Sequence, residues 1–410
     1  MVIIDVHGDF ARNVVNFIHN EDRERLVYIS STINRECHTK ETYTAVVNPF
    51  IIENGDNSVE ATSIYANEIA NAIEEILQSS SNTYNTLSIQ MSAILRPVIF
   101  TVMYSCLNPS FETVARFFLD RDGQNTDLLE LGKQSPIAMY RQFFEHDWKS
   151  PEYTITKRSI RTKIIYMMGD PMLTNMICGK STVNVEKCLH EGKVIVVNVS
   201  KSGGSFCSSV FSRLMIAYIH AIMIRRDALE INKRTPCFLY LDEFQNMVTS
   251  SLVSSLAECR KYGLNVVLAT QSTAALSKEV RSATTVNCSI KMVSLLDHEG
   301  KVFFSKELNV PIEMLQELQA LSFVVRKNNG KDGAFKFRVP ILAKRHFLSK
   351  DKRKELMDYI LYQSGTYVPV STSPAPPPVS TPTAQDIKQP KKQKRKKDDP
   401  FDDNIRPAFN

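Results

Sequence analysis

Two adjacent carboxylates, Asp242 and Glu243, follow directly on the apolar run Phe238-Leu239-Tyr240-Leu241. An unbroken apolar run predicts a strand buried on both faces of a parallel sheet. In open α/β sheets the ligand sits outside the carboxyl ends of such strands. Acids at that edge can hold Mg²⁺, usually through water, and can polarise an attacking water. Leu252, Leu256 and Cys259 then recur at helical spacing. A second apolar run, Asn265-Val266-Val267-Leu268-Ala269, delivers Thr270-Gln271-Ser272 to the same edge. An apolar strand ending in Asp-Glu is, alone, as often a strand before a solvated turn. Strand, acid pair, helix, strand and glutamine in that order have the form of a Walker B element with a polar neighbour.

The elements that must carry this chemistry are legible on either side. Val2-Ile3-Ile4 predicts a strand ending in Asp5-Val6-His7-Gly8-Asp9. Gly8 permits a tight turn, and Asp9 is placed to cap a helix with Val14, Val15, Phe17 and Ile18 as its apolar stripe. Turn and cap are the simplest roles for Asp5 and Asp9. Leu26 to Ile29 and Val194 to Val199 predict two more strands. Lys201-Ser202-Gly203-Gly204-Ser205 follows the latter and reads as a turn with Ser205 as N-cap. From about residue 58 to 188 the pattern is helical throughout. Ile64, Tyr65, Ile69, Ile73 and Ile76 begin it, and further helices are predicted over 87–106, 111–119, 136–144 and 157–168. Trp148 and Phe143-Phe144 read as core residues of this block. Gly179-Lys180-Ser181 invites comparison with a phosphate-binding loop. However, Thr174 stands where the first glycine is needed and no strand precedes it, so we read it as a decoy.

Past the acid pair, Ile290 to Leu295 predicts a strand and 299–308 and 312–318 predict helices. Phe323 to Arg326 should pair with Phe335 to Val339 across Asn328-Asn329-Gly330. Beyond Leu361 the composition turns rich in proline and serine, then basic (KQPKKQKRKKDD), which predicts a disordered tail. Its lysines suit nucleic-acid phosphates, and a solvated tail accounts for them equally well. The division expected is 1–57, 58–188, 189–345, a terminal helix at 346–363 and the tail at 364–410.

Composition sets wide bounds. With 410 residues, 43% hydrophobic and 23% charged, the chain can bury a large core, and its net charge of +6 is mild. The eight cysteines form no CxxC pair and no cluster at metal spacing, which favours free thiols in a reducing compartment. The first apolar residues are interrupted by Asp5, His7 and Asp9, unlike a signal peptide. The best membrane-length candidate, Leu87 to Cys106, contains Gln90, Arg96 and Pro97, and reads as a buried, kinked helix instead.

Two segments, LYLDEFQN and AECRKYGLNVVLATQS, resemble the motor domain of type IV secretion coupling proteins. These form the TraD/TraG family, within the HerA/FtsK class of ring-shaped DNA-pumping ATPases. MVIIDVHGDF resembles that family's (V/I)xDPHGD segment, with Val6 where the family has proline. The likeness spans roughly residues 1–345 and leaves out the tail. It implies a RecA-like (P-loop NTPase) α/β fold with a mostly parallel sheet, an all-helical insert domain, and ATP and Mg²⁺ as cofactors. Implied partners are DNA, other copies of the chain in a ring (a hexamer), and relaxosome or secretion-channel proteins. The implied location is the cytoplasm, at the inner face of the bacterial inner membrane, with any anchor outside this sequence.

By the same resemblance Asp242 would hold Mg²⁺ through water and Glu243 would orient or deprotonate the attacking water. Gln271 would sense the γ-phosphate, and Asp5 would line the nucleotide pocket. Arg260 matches an arginine that reaches a neighbouring subunit's site; an exposed residue beside Lys261 is the alternative. The family's phosphate-binding loop is expected just upstream of Met1, and no G-x-x-x-x-G-K-[ST] occurs in the 410 residues. Two readings stand. The chain is the C-terminal portion of an ATP-driven DNA translocase, or it is a catalytically incomplete module that binds DNA or relaxosome proteins. The presence of Asp242, Glu243, Arg260 and Gln271 favours the first.

Overall fold

The computed structural model describes residues 1–53, 55–78, 86–119, 125–271, 273, 275–327, 333–341 and 347–370, with backbone only for 86–88. In chain order the strands are β1 (Val2–Asp5), β2 (Leu26–Ser30), β3 (Tyr43–Thr44), β4 (Val194–Asn198), β5 (Cys237–Asp242) and β6 (Leu264–Leu268). They continue as β7 (Ile290–Val293), β8 (Ser322–Lys327), β9 (Phe335–Arg338) and β10 (Val368–Pro369). Five of them form one sheet in the order β2-β4-β1-β5-β6, parallel throughout. Parallel neighbours require crossover connections, and helices supply them. The apolar runs read from the sequence are therefore the sheet.

Register decides what this sheet presents. Ser30 lies opposite Asn198, Asn198 opposite Asp5, and Asp5 opposite Asp242. Four strands thus end together in a row of polar residues at one edge. Each of these polar residues closes an apolar strand whose other side chains are mostly buried in β1, β2 and β4, so the row cannot slip without turning the core outward.

Burial departs from expectation at one side. β1 and β2 are wholly buried, but β5 and β6 alternate, with Phe238 and Val267 each 43% exposed. The prediction that the acid-bearing strand is covered on both faces is therefore wrong. β6 is an edge strand, and among the described residues one face of the β5–β6 pair is left partly open.

Between β3 and β4 the regular secondary structure of the described residues is helical. The helix Val59–Gln78 buries Tyr65, Ile69 and Ile73 and packs on both Thr86–Ser105 and the core helix Ser205–Arg225. Fully burying each such side chain is worth about 1.5–3 kcal/mol. Pro97 sits inside Thr86–Ser105 as expected. Trp148, Phe143, Phe144, Phe117 and Phe118 form a buried aromatic cluster, which confirms their reading as core. The helix with membrane length and composition is not 87–106 but Ser205–Ala228, with mean hydropathy 1.5. Most of it (83% of its most apolar window) is buried inside the protein, because it runs against the helical block and the helix Ser250–Glu258.

β7, β8 and β9 form a separate antiparallel sheet in that order, with its own small core of Val293, Leu308, Leu315, Leu318 and Val324. The predicted pairing of β8 with β9 is observed. Its turn, Asn328-Asn329-Gly330, lies outside the described residues, as do Ser272 and the tail from 371. The helix Lys350–Tyr362 leads to β10, which pairs with β3. Beside it the buried Tyr367 hydroxyl accepts a hydrogen bond from Ser30 N at 2.7 Å.

Candidate active site

The loops at the carboxyl ends of β1, β4 and β5 are laced together. Asp5 is fully buried, and its two carboxylate oxygens accept backbone N–H groups from His7 (2.7 Å) and Ala11 (2.9 Å). It is Asp5, not Asp9, that fastens this turn. Gly8 occupies the N-cap position with φ +89°, and Asp9 is the first helical residue, exposed and paired with Arg12 at 2.6 Å. A β-carbon on Gly8 would fall 2.7 Å from Asn198 Oδ1, so the close approach of the two loops excludes any larger residue.

The loop after β4 crosses towards both neighbours. Lys201 N donates to Val6 O at 2.9 Å, and Ser200 Oγ to His7 O at 3.0 Å. Lys201 Nζ reaches Asn246 Oδ1 at 3.1 Å, in the loop after the acid pair. Ser205 does not cap the following helix. Gly204, with φ +133°, holds that position without a side-chain bond, while Ser200 Oγ accepts from Ser202 N. Neither Lys201 nor Asn246 stood out in the sequence, since nothing local announces a contact across forty-five positions.

Asp242 is half-buried, and its pKa is pushed up by burial, then by the charges of Asp5 and Glu243, with His7 acting in the opposite direction. Like charges have been gathered here at a cost to ionisation. Glu243 is 6% exposed and adopts the left-handed conformation (φ +55°), rare outside glycine and asparagine. Its Oε2 accepts from Gln245 Nε2, and its carbonyl accepts from Asn246 N at 3.0 Å. The strand therefore turns sharply after Asp242, which aims successive acids in different directions.

On the far side of β1, Asn198 donates to Tyr28 Oη (2.8 Å) and Glu36 Oε1 (3.1 Å). Glu36 also accepts from the hydroxyls of Tyr28, Ser30 and Thr32. Burial and then Glu36 push the Tyr28 hydroxyl's pKa up strongly, and the Cys37 thiol to about 11. This network braces the polar row from the β2 side. Asn198 could have been singled out beforehand, because it closes an apolar run just as Asp5 and Asp242 do.

The remaining sequence candidates fall in distinct places. Ala269 N donates to Leu241 O (2.9 Å) and Phe244 N to Ala269 O (3.0 Å), so the β6 pairing runs one step past the strand. Gln271 lies two residues further on at this same edge, and is exposed. Arg260 is also exposed, in the turn Cys259–Tyr262 that precedes β6. β6 therefore separates Arg260 from its own chain's acids by about 17 Å, at roughly 3.3 Å per residue. Gly179-Lys180-Ser181 follows the helix Pro171–Ile177, and Asn48 grips it through Gly179 O (2.7 Å) and Ser181 Oγ (3.2 Å). No strand leads into it, and the decoy reading stands.

The donor set suits one metal chemistry and not another. Among the described residues no group of three His, Cys, Asp or Glu side chains is arranged to enclose a metal. Mg²⁺ needs less protein, since it commonly keeps its waters and takes one carboxylate plus substrate phosphates. Asp242 fits that role. The Asp5 oxygens are already engaged, and the excess negative charge around Asp242 is what a cation would relieve.

The parallel α/β sheet with its polar residues gathered at the carboxyl edge agrees with the RecA-like core expected from the resemblance. Residues 236–308 match the family model described as the TraM recognition site of TraD and TraG. Among solved structures, the bacterial conjugative coupling protein TrwBdeltaN70, in its unbound monoclinic form, aligns with a TM-score of 0.59 at 15% identity. That alignment covers 84% of this chain and 78% of that one. The plasmid coupling protein TrwB in complex with the non-hydrolysable GTP analogue GDPNP gives 0.59 at 16% identity, over 85% and 81%. The same protein in complex with ADP and Mg²⁺ gives 0.58 at 15%, over 86% and 80%. Among curated protein sequences none matches significantly. Fold and matched segment together bear out the resemblance to TraD/TraG-type coupling proteins read from the sequence.

Proposed function

We propose that this chain is the motor portion of a conjugative coupling protein, in which ATP hydrolysis moves DNA through a ring of subunits at the cytoplasmic face of the bacterial inner membrane. One observation carries the reading. Asp5 and Asp242 stand in register on adjacent parallel strands, with Glu243 buried directly after Asp242 in a fixed, strained conformation. Strain of this kind, held by surrounding bonds, is characteristic of functional sites. The TrwB complexes with GDPNP and with ADP and Mg²⁺ support a nucleotide at this edge by similarity of fold. The description of the matched family model supports a relaxosome partner.

When bound, Mg²⁺-ATP supplies the γ-phosphoryl group and neutralises charge on its oxygens. Asp242 would hold the ion through water, and Glu243 would orient the attacking water and accept its proton. Gln271 would contact the γ-phosphate from the end of β6. Arg260, exposed at the opposite end of β6 from its own acids, would serve the site of an adjacent subunit, a role worth about 10³–10⁵ in rate where such fingers are known. Asp5 acts indirectly, by fastening the turn against which Asp242 is set.

A second reading is favoured by one observation: the 410 residues contain no G-x-x-x-x-G-K-[ST], and Gly179-Lys180-Ser181 is occupied by Asn48. The chain would then bind DNA or relaxosome proteins without hydrolysis. Titration with a fluorescent ADP analogue, with and without Mg²⁺, together with ATP turnover in the presence of single-stranded DNA, separates the two. In a protein that also carries the phosphate-binding loop, the motor reading expects Mg²⁺-dependent binding that Asp242→Asn abolishes, and turnover that Glu243→Gln abolishes while binding persists. Binding indifferent to both Mg²⁺ and Asp242→Asn would leave the non-hydrolytic module as the function.

A further inference from the structure

The helix Thr154–Met168 carries four cations, Lys157, Arg158, Arg161 and Lys163, and no acid. Thr156, Ile160, Ile164 and Met167 form its buried stripe, packed against the neighbouring helices. The opposite face, reached at steps of three and four, is open to solvent: Ile155 (73% exposed), Arg158, Thr162, Ile165 (49%) and Tyr166 (65%). Lys157 is taken up by Trp148, whose carbonyl it bonds and whose ring it covers. Among the described residues no ion pair includes Arg158 or Arg161. Asp170, just past the helix, caps Pro171–Ile177 through Leu173 N at 3.0 Å. The adjacent helix Phe111–Leu119 adds one acid and one base, so the surplus is positive.

This face continues past the end of the helix. Tyr166 meets Phe206, in the first turn of the core helix, edge to face with centroids 4.7 Å apart. A β-carbon on Gly203 would lie 3.2 Å from Met172 Sδ and 3.0 Å from Ser31 Oγ, so the loop after β4 is wedged between the helical block and the end of β2. Lys201 stands exposed in that loop, its ammonium on the neutral Asn246 side chain. The cations therefore lead from the helical block to the carboxyl edge of the sheet, with Arg158 and Tyr166 about 12 Å apart along the helix. Chemistry selects what such a line holds. A helix that lies in a membrane surface presents a broad apolar face to the lipid, and here that face is buried inside the protein. Cations, hydroxyls and an open aromatic ring are the groups that take the phosphates and bases of a nucleic-acid strand.

We propose that this face binds single-stranded DNA, with Arg158, Arg161 and Lys201 on its phosphates and Tyr166 stacked on a base. The inference rests on the reading of the chain as a DNA-handling protein and assigns a surface that does it. Duplex DNA, whose bases are already stacked, gains nothing from the ring. The basic sequence near the C-terminus should draw single and double strands alike through their phosphates. Loss of the ring should therefore weaken binding of single strands alone, while loss of the arginines should lower the salt dependence.

The test is fluorescence anisotropy of the full chain with labelled oligo(dT) and with a duplex of equal length, repeated across salt concentrations. The wild type is compared with the double variant Arg158→Gln/Arg161→Gln, with Tyr166→Ala and with Tyr166→Phe. Losing two phosphate contacts should flatten the single-strand salt slope by about 1.4 and weaken binding about twentyfold at 0.1 M salt. Tyr166→Ala should lose about tenfold for oligo(dT) and nothing for the duplex, and Tyr166→Phe, which keeps the ring, should bind as the wild type does. Photo-cross-linking of bromouracil-substituted oligo(dT) to the wild type should map to the peptide bearing Tyr166. These side chains are exposed enough for the variants to fold, which circular dichroism checks. Unchanged affinity and slope in the double variant, with cross-links only beyond residue 370, would overturn this surface and leave DNA binding to the basic sequence near the C-terminus. No binding of either DNA by any of the proteins would overturn the DNA reading itself. Unaltered DNA binding, beside weakened binding of the double variant to phosphatidylserine vesicles, would reassign the face to a membrane surface.

Discussion

His220 lies in the buried core helix, and its Nδ1 is 2.8 Å from Glu68 Oε2 on the helix Val59–Gln78. Ser251 Oγ donates to the same Glu68 oxygen at 2.7 Å, and Cys259, directly before Arg260, bonds the ring. Three helices and the Arg260 turn thus meet at one ion pair. Burial alone would lower the His220 pKa, but hydrogen bonds to Cys259 and Glu68 and the charge of Glu68 outweigh it and raise the pKa from 6.5 to about 9. At 1.36 kcal/mol per pH unit that corresponds to about 3 kcal/mol of stability. The sign follows from linkage: the contribution is complete below pH 6.5 and disappears as pH rises through about 9. Glu68, whose pKa is lowered despite its burial by the bonds to His220 and Ser251 and by the nearby Arg96, acts oppositely and loses its contribution on acidification below its ordinary 4.5. Urea unfolding followed by circular dichroism should show the wild type losing stability between pH 6.5 and 9. His220→Gln should be less stable by about 3 kcal/mol at the lower pH, within the range for breaking a buried pair, and flatter across the window. Parallel curves for wild type and variant would refute the assignment of a charged His220.

Three further outcomes are expected. Gly8→Ala should destabilise by about 2 kcal/mol or more, from the left-handed φ and the contact with Asn198 Oδ1, measured by the urea midpoint. Asp242→Asn should stabilise the Mg²⁺-free protein at neutral pH, because burial, Asp5 and Glu243 hold that carboxyl's pKa up. The gain should be absent below the ordinary 3.8 and grow as pH rises through the elevated value. Gly132→Ala should cost about 1–3 kcal/mol, since its β-carbon would meet the Phe144 ring at 2.5 Å inside the aromatic cluster; loss of Trp148 fluorescence on milder heating would report it.

The strands of the main sheet were readable because each is a short apolar run closed by a polar residue, and local sequence records both features. Asp242 and Glu243 were found by that sign, Asp5 as a site residue only by the family resemblance, and the helices between residues 58 and 188 by their spacing. Other features needed the chain to close on itself. That Asp5 and Asp242 are neighbours depends on β1 lying between β4 and β5, an order set by crossovers and invisible in any window of sequence. The role of Asp5 as the fastener of its own turn, in place of Asp9, depends on where the turn folds back, and the cap at Gly204 in place of Ser205 on how the β4 loop meets β1.

The half-open face of β5 and β6 shows the same limit. An apolar run reports that a strand is suited to burial, but only its neighbours decide which side is covered. Composition and periodicity determined the identity of the elements and the residues at their ends, because those are settled within a few positions. Tertiary structure alone decided which ends meet, which carboxylates are consumed as structure and which are left half-buried, because those depend on contacts between segments more than two hundred residues apart.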